Sequence, residues 1–230
     1  AGVVLWLVAR RPLQQLRASL QPVGQAAQQL GLDDVRVIPI GQHAYAHLLT
    51  ITPTSPLPQD QIIHYDLHWQ GEQGSGLQQS APHLCHGDEL PSLMIASDNR
   101  RLLHGSCRKP HFAGEDALVR TDSWLAERRN QPEQRPAWLL MTGDQVYVDD
   151  VSGPLLVAVH QVIARLGLFD EALEGATVAD SQALYQSDDT YYRREQLLPD
   201  VPSNMAVRDR FFGGVRKPVF TSANAHNHLI

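Results

Sequence analysis

Cysteine is scarce: Cys85 and Cys107 are the only two among 230 residues. A disulfide scaffold is therefore excluded, although one bridge between the two remains conceivable and the compartment stays open. No window approaches the roughly 20 consecutive apolar residues of a membrane-spanning helix, so no membrane segment is expected. Positive charge is not in excess. The formal net charge is −6, which gives no electrostatic footprint for nucleic acid. No signal peptide is seen, but the chain opens on Ala1-Gly2 and enters an apolar run at once. The natural chain is expected to begin earlier, so the missing targeting segment carries little weight.

What is present is ordinary for a globular protein, with 43% apolar and 19% charged residues. A chain of 230 residues permits one large domain or two small ones, each with a proper core. The pattern changes near residue 96. Residues 1–95 read as a β domain, and residues 96–230 alternate strand and helix. The expected fold class is mixed α/β, with an N-terminal antiparallel β-sandwich.

In the first part, residues 3–9, 35–40 and 44–51 read as strands. Residues 13–20 are ambiguous between strand and helix, and residues 23–34 read as a loop or short turn. Residues 62–69 alternate with a period of two: Ile63, Tyr65, Leu67 and Trp69 share one face, and His64, Asp66 and His68 the other. The second set has metal-ligand character, but the solvated face of a half-buried sheet is the preferred reading. Residues 71–80 read as a Gly/Gln/Ser linker. His83-x-Cys85-His86 matches no standard zinc spacing and has no second pair, so it reads as loop composition.

In the second part, residues 101–106 form a short strand running into Gly105-Ser106-Cys107. A helix near 115–129 has Ala117, Leu118, Thr121, Trp124 and Leu125 as its inward stripe. Asn130 and Pro132 end it. Residues 137–141 form a continuous apolar strand, read as buried on both faces. Strand, helix and strand over this length make a βαβ unit, so the two strands should be parallel. A second helix starts at Ser152 or Gly153 with Pro154 in its first turn, and Gly167 stops it. Its apolar face is Leu155, Leu156, Val159, Val162, Ile163 and Leu166, with His160 flanking. Residues 181–198 suit a helix within an insertion, and residues 199–214 read as irregular.

The βαβ unit sets the carboxyl ends of two parallel strands side by side, where open α/β sheets collect ligands. Cys107 ends the first strand, Asp144 the second, and Tyr147 follows within one turn. A thiolate, a carboxylate and a phenolate converging there would suit a hard, highly charged ion such as ferric iron. Two other readings of Cys107 stay open. It is a nucleophile with its pKa lowered by Arg108 and Lys109, although no glycine follows until Gly114 to form a phosphate-cradling loop. Alternatively it is a buried structural cysteine. Asp144 alone also suits a turn or helix cap. Asp149 and Asp150 read as charges favourable to the dipole of the following helix.

His104-Gly-Ser-Cys-Arg-Lys-Pro110, followed by Leu140-Met-Thr-Gly-Asp-Gln-Val-Tyr-Val-Asp-Asp150, resembles the PhoD-like alkaline phosphatase/phosphodiesterase family. The likeness covers residues 100–155 well and the rest by architecture. The terminal Phe220-Thr-Ser, with Asn227-His228-Leu229, adds to it. The resemblance implies a metallophosphoesterase: a β-sandwich, then a four-layer α/β/β/α catalytic domain, of which this chain holds the first βαβα part and looks truncated. It implies iron ligation by Cys107, Asp144 and Tyr147, with Asp144 bridging to calcium and serving the catalysis. Later ligands of the family have no assigned counterpart here, though Asn227 and His228 are possible contributors. The reaction implied is hydrolysis of a phosphomonoester or phosphodiester substrate, with Arg108 or Lys109 pairing with phosphate or simply standing as a solvated loop charge. A non-catalytic binding module, or an inactive fragment with a structural Cys107, is the competing expectation.

Overall fold

The fold is described from a computed structural model. It describes residues 2–32, 34–70, 76–99, 101–109, 114–145, 147, 151–173, 178–188 and 202–214. Asp149, Asp150, Asn227 and His228, together with most of 181–198, lie outside the described residues. The chain is mixed α/β: antiparallel sheets at the N-terminus, then a few helices with a small parallel sheet. It divides into two units, one of residues 1–39 with 44–145 and one of residues 40–43 with 146–230.

The first unit opens with β1 (Val3–Ala9), β2 (Arg17–Pro22), β3 (Gln28–Gly31), β4 (Val35–Gly41, of which residues 35–39 belong to this unit), β5 (Ala44–Ile51) and β6 (Ile62–His68). After them come the short helix α1 (Gly76–Ser80), a 3-10 turn at Pro82–Cys85 and β7 (Ser92–Met94). The strands form two antiparallel sheets, ordered β1-β5-β4 and β3-β2-β6-β7. Leu49 and Ile51 from the first sheet join Ala18, Leu20, Ile63 and Leu67 from the second in one hydrophobic cluster. Leu20 is fully buried; truncating such a side chain to alanine costs about 2–5 kcal/mol. His47 is fully buried as well, and its bonds fix its tautomer. Nε2 accepts from the Leu13 amide at 3.1 Å, so Nδ1 carries the proton toward the Tyr45 carbonyl at 3.0 Å.

Three expectations for this region change. Residues 23–34 hold a strand, β3, paired to β2 with Arg17 opposite Gly31. Its Gln-rich sequence has little β-propensity of its own, and the ladder to β2 supplies the order. Residues 76–80 are helical, not linker. On the face of β6 expected to be solvated, His64 and His68 are half-buried but Asp66 is 3% exposed and accepts from the Leu67 amide at 2.8 Å and the Leu77 amide, at the start of α1, at 3.0 Å.

The same unit continues with β8 (Leu102–Gly105), α2 (Ala117–Glu127) and β9 (Trp138–Met141). β8 and β9 pair in parallel, from Leu102 opposite Trp138 to Gly105 opposite Met141. Leu118, Thr121, Trp124 and Leu125 are the half-buried stripe of α2, whereas Ala117 is exposed. β9 departs from the sequence reading. Trp138, Leu139 and Leu140 are about half exposed, because a two-stranded sheet covers neither of its faces by itself.

The second unit holds α3 (Gly153–Leu166), α4 (Ser181–Gln186) and α5 (Pro202–Phe212). Pro154 stands in the first turn of α3, and Gly167 ends it in the left-handed conformation at φ 57°. The carbonyls at that end are taken up by residues 40–43: Gln42 N donates to Gly167 O at 2.7 Å and His43 N to Leu166 O at 2.9 Å. Leu156 is buried and Ile163 and Leu166 half-buried, but Leu155 and Val162 are exposed, so the inward face is narrower than the apolar count suggests. His160 packs its ring on Tyr185, 4.9 Å between centroids. Residues 202–212, read as irregular, are helical without an apolar stripe. Among the described residues, no helix is long and apolar enough to cross a membrane.

Candidate metal centre

The candidate site is built where β8 and β9 end. Parallel pairing places Gly105 beside Met141, and Thr142 N extends the ladder by donating to Gly105 O at 3.1 Å. Beyond the strands the two loops stay in contact. Arg108 N donates to Asp144 O at 2.6 Å, and His104 Nε2 lies 2.7 Å from Thr142 Oγ1. Gln145 Nε2 donates to Gly143 O, which folds the second loop back on itself.

Cys107 turns the first loop. Its φ is +55°, the left-handed region that costs an ordinary side chain about 1–2 kcal/mol. The chain is held there by the bonds of its neighbours, and such held backbone strain clusters at functional sites. The thiol is exposed, 3.3 Å from Ser106 Oγ. Cys107 is thus no buried core residue. Cys85 is the buried cysteine, its thiol pushed up by burial and then by Asp66 and Asp88, and no bridge joins the two. Asp144 is exposed on the facing loop. Gly143 lies between them: a β carbon there would overlap Ser106 Oγ and come within 3.0 Å of Cys107 Sγ. Its missing side chain lets the two loops approach this closely.

Arg108 is half-buried and ion-paired. Its guanidinium grips Asp116 with two bonds, Nε to Oδ1 at 3.2 Å and NH2 to Oδ2 at 2.6 Å. Asp116 is also the N-cap of α2, accepting from Leu118 N at 3.0 Å. The Arg108 bond, then the Leu118 amide, holds the Asp116 carboxyl below the usual carboxylate range, and the same pair raises Arg108. This clamp ties the Cys107 loop to the helix start. An Asp just ahead of an apolar helical run is a cap signal legible in sequence; its pairing with Arg108 is not. Lys109 is half-buried.

The structure brings the loop of Cys107 and Arg108 against the loop of Asp144. Tyr147 is half-buried and belongs to the second unit. Among the described residues no group of three or more His, Cys, Asp and Glu is placed to hold a metal ion. Cys107 and Asp144 are both exposed, and a thiol and a carboxylate are both residue types that ligate metals.

The two other clusters do not form sites. His68 Nε2 lies 3.2 Å from Asp66 Oδ2, and the remaining Asp66 oxygen is used by backbone amides. His86 pairs with Asp122 at 3.3 Å. Asp88 is held by Arg129 through two bonds, at 2.7 and 3.2 Å, which lower its pKa.

Comparison with known proteins returns no match: no family model fits the chain, and neither a curated protein nor a solved structure is significantly similar to it.

Proposed function

We propose that this chain is the N-terminal part of a PhoD-like metallophosphoesterase that hydrolyses phosphomonoesters or phosphodiesters. In this reading the two antiparallel sheets are its β-sandwich and β8-α2-β9-α3 the start of its four-layer catalytic domain. The observation that carries the reading is the junction of the Gly-Ser-Cys and Gly-Asp loops: Arg108 N bonded to Asp144 O at 2.6 Å, with Cys107 and Asp144 both exposed. Cys107, Asp144 and Tyr147 would hold iron, Tyr147 being assigned by its spacing of three residues from Asp144, and Asp144 would bridge to calcium. Bound there, the ions would supply the positive charge that polarises a phosphoryl oxygen.

The chain's own residues do the rest. The parallel ladder and the Arg108–Asp144 bond hold the two loops together, the kind of preorganisation that lowers the cost of stabilising developing charge. Arg108, next to Cys107 in the chain, is assigned to the substrate phosphate.

The test is hydrolysis of p-nitrophenyl phosphate and bis-p-nitrophenyl phosphate by the chain supplied with iron and calcium. Turnover abolished by chelation and by Asp144→Ala supports the reading. Turnover that survives chelation but is lost on alkylating Cys107 makes Cys107 a nucleophile instead. No turnover by the metal-loaded chain favours a non-catalytic binding module or an inactive fragment.

A further inference from the structure

The outer face of the β1-β5-β4 sheet is apolar where a solvated face would be polar. In β1, Val3, Leu5 and Leu7 pack on the core, while Val4, Trp6 and Val8 are 59%, 69% and 45% exposed. In β5, Leu48 stands opposite Trp6 and is 39% exposed. Cross-strand partners share a face, so Val4, Trp6, Val8 and Leu48 form one exposed surface with an indole at its centre. Contiguous apolar surface of this kind marks an interaction site.

The charge of this sheet is opposite to that of the chain. Residues 3–11 and 35–51 contain Arg10, Arg11 and Arg36 and no Asp or Glu, although the whole chain has a net charge of −6. Arg10 and Arg11 follow β1 directly and Arg36 lies on β4; all three are exposed. The nearest acidic residue among those described is Asp34, just ahead of β4.

These features select the occupant. A second copy would bring like-charged arginines against one another, which disfavours self-association. A partner needs an apolar layer bordered by negative charge. A bilayer with anionic lipids has both. Tryptophan settles at headgroup depth, where its ring is half in hydrocarbon and half wet. Each arginine near an anionic surface raises partitioning roughly fivefold.

We propose that the outer face of the β1-β5-β4 sheet docks on an anionic lipid bilayer, Trp6 entering the headgroup layer and Arg10, Arg11 and Arg36 pairing with lipid anions. Docking rests on the first sheet alone and does not depend on the phosphoesterase reading.

The test is co-sedimentation of the full chain with vesicles of phosphatidylcholine, alone or mixed with phosphatidylglycerol. The chain sediments with the mixed vesicles and is released as salt rises. Trp6→Gln lowers partitioning roughly tenfold, and the Arg10→Glu/Arg11→Glu pair lowers it by more than roughly tenfold. Trp138→Gln, on the β8-β9 sheet, leaves it unchanged. The substituted side chains are exposed, so each variant keeps the parent's far-UV circular dichroism. Equal binding to both vesicle types, no binding to either, or loss with Trp138→Gln but not with Trp6→Gln overturns the proposal. Binding to poly-glutamate with none to vesicles also overturns it and assigns the face to an acidic protein.

Discussion

A β carbon built on Gly143 lies 3.0 Å from Cys107 Sγ and 3.1 Å from Cys107 N. Two loops that follow different strands are thus packed as closely as a residue without a side chain allows.

Gly143→Ala accordingly pushes the loops apart. The backbone nitrogen of Cys107 cannot yield as the Ser106 hydroxyl can, so the expected cost is roughly 1–3 kcal/mol in chemical denaturation. Adding Ser106→Gly removes the hydroxyl overlap and recovers part of that loss. A double variant no more stable than Gly143→Ala would show that Ser106 is not part of the packing.

The positive φ of Cys107 separates two variants that both remove the thiol. Cys107→Ala keeps the left-handed strain and Cys107→Gly relieves it, offset in part by the freedom glycine gains in the unfolded chain. Cys107→Gly should be the more stable by roughly 0.5–1 kcal/mol in urea unfolding. The reverse order would mean that the loop takes a different backbone.

Asp66 is buried and accepts from two backbone amides. Asp66→Ala leaves both unpaired and should cost roughly 2–5 kcal/mol by thermal or chemical denaturation. Asp66→Asn keeps an acceptor oxygen and should cost less. Equal effects would mean that the charge facing His68, not the pair of amides, is what matters.

Acid stability follows from Asp88 and Asp116, whose carboxyls are depressed by Arg129 and Arg108. A carboxyl depressed on folding contributes stability that is complete above its unfolded value of about 4. That contribution is lost as pH falls through the lower folded value. Melting temperature should therefore drop below about pH 4. The Asp88→Asn/Asp116→Asn chain should start lower at neutral pH and fall less over the same window. An equally steep fall in the variant would place the acid sensitivity elsewhere.

Much of the scaffold is legible in the sequence because period and punctuation agree. β1 is a short apolar run, β6 alternates, α3 is bracketed by Pro154 and Gly167, and the βαβ spacing predicts the parallel β8-β9 pair that is found. The failures have physical causes. β3 takes its order from β2 rather than from Gln28 and Gln29. Asp66 occupies a strand position that reads as solvent-facing but is covered by the start of α1. The apolar run of β9 records what the strand is suited to pack against, not what packs there. At the candidate site, residue types and spacing point to Cys107 and Asp144. The Asp116 grip on Arg108 needs three dimensions, since eight residues separate the partners.

The central claim is that the Cys107 and Asp144 loops bind iron. It is tested most directly by elemental analysis of the purified chain, offered ferric iron and desalted, beside the same preparation of Cys107→Ala. The account predicts near-stoichiometric iron in the parent and little in the variant. Equal iron in the two, or none in either, would contradict it.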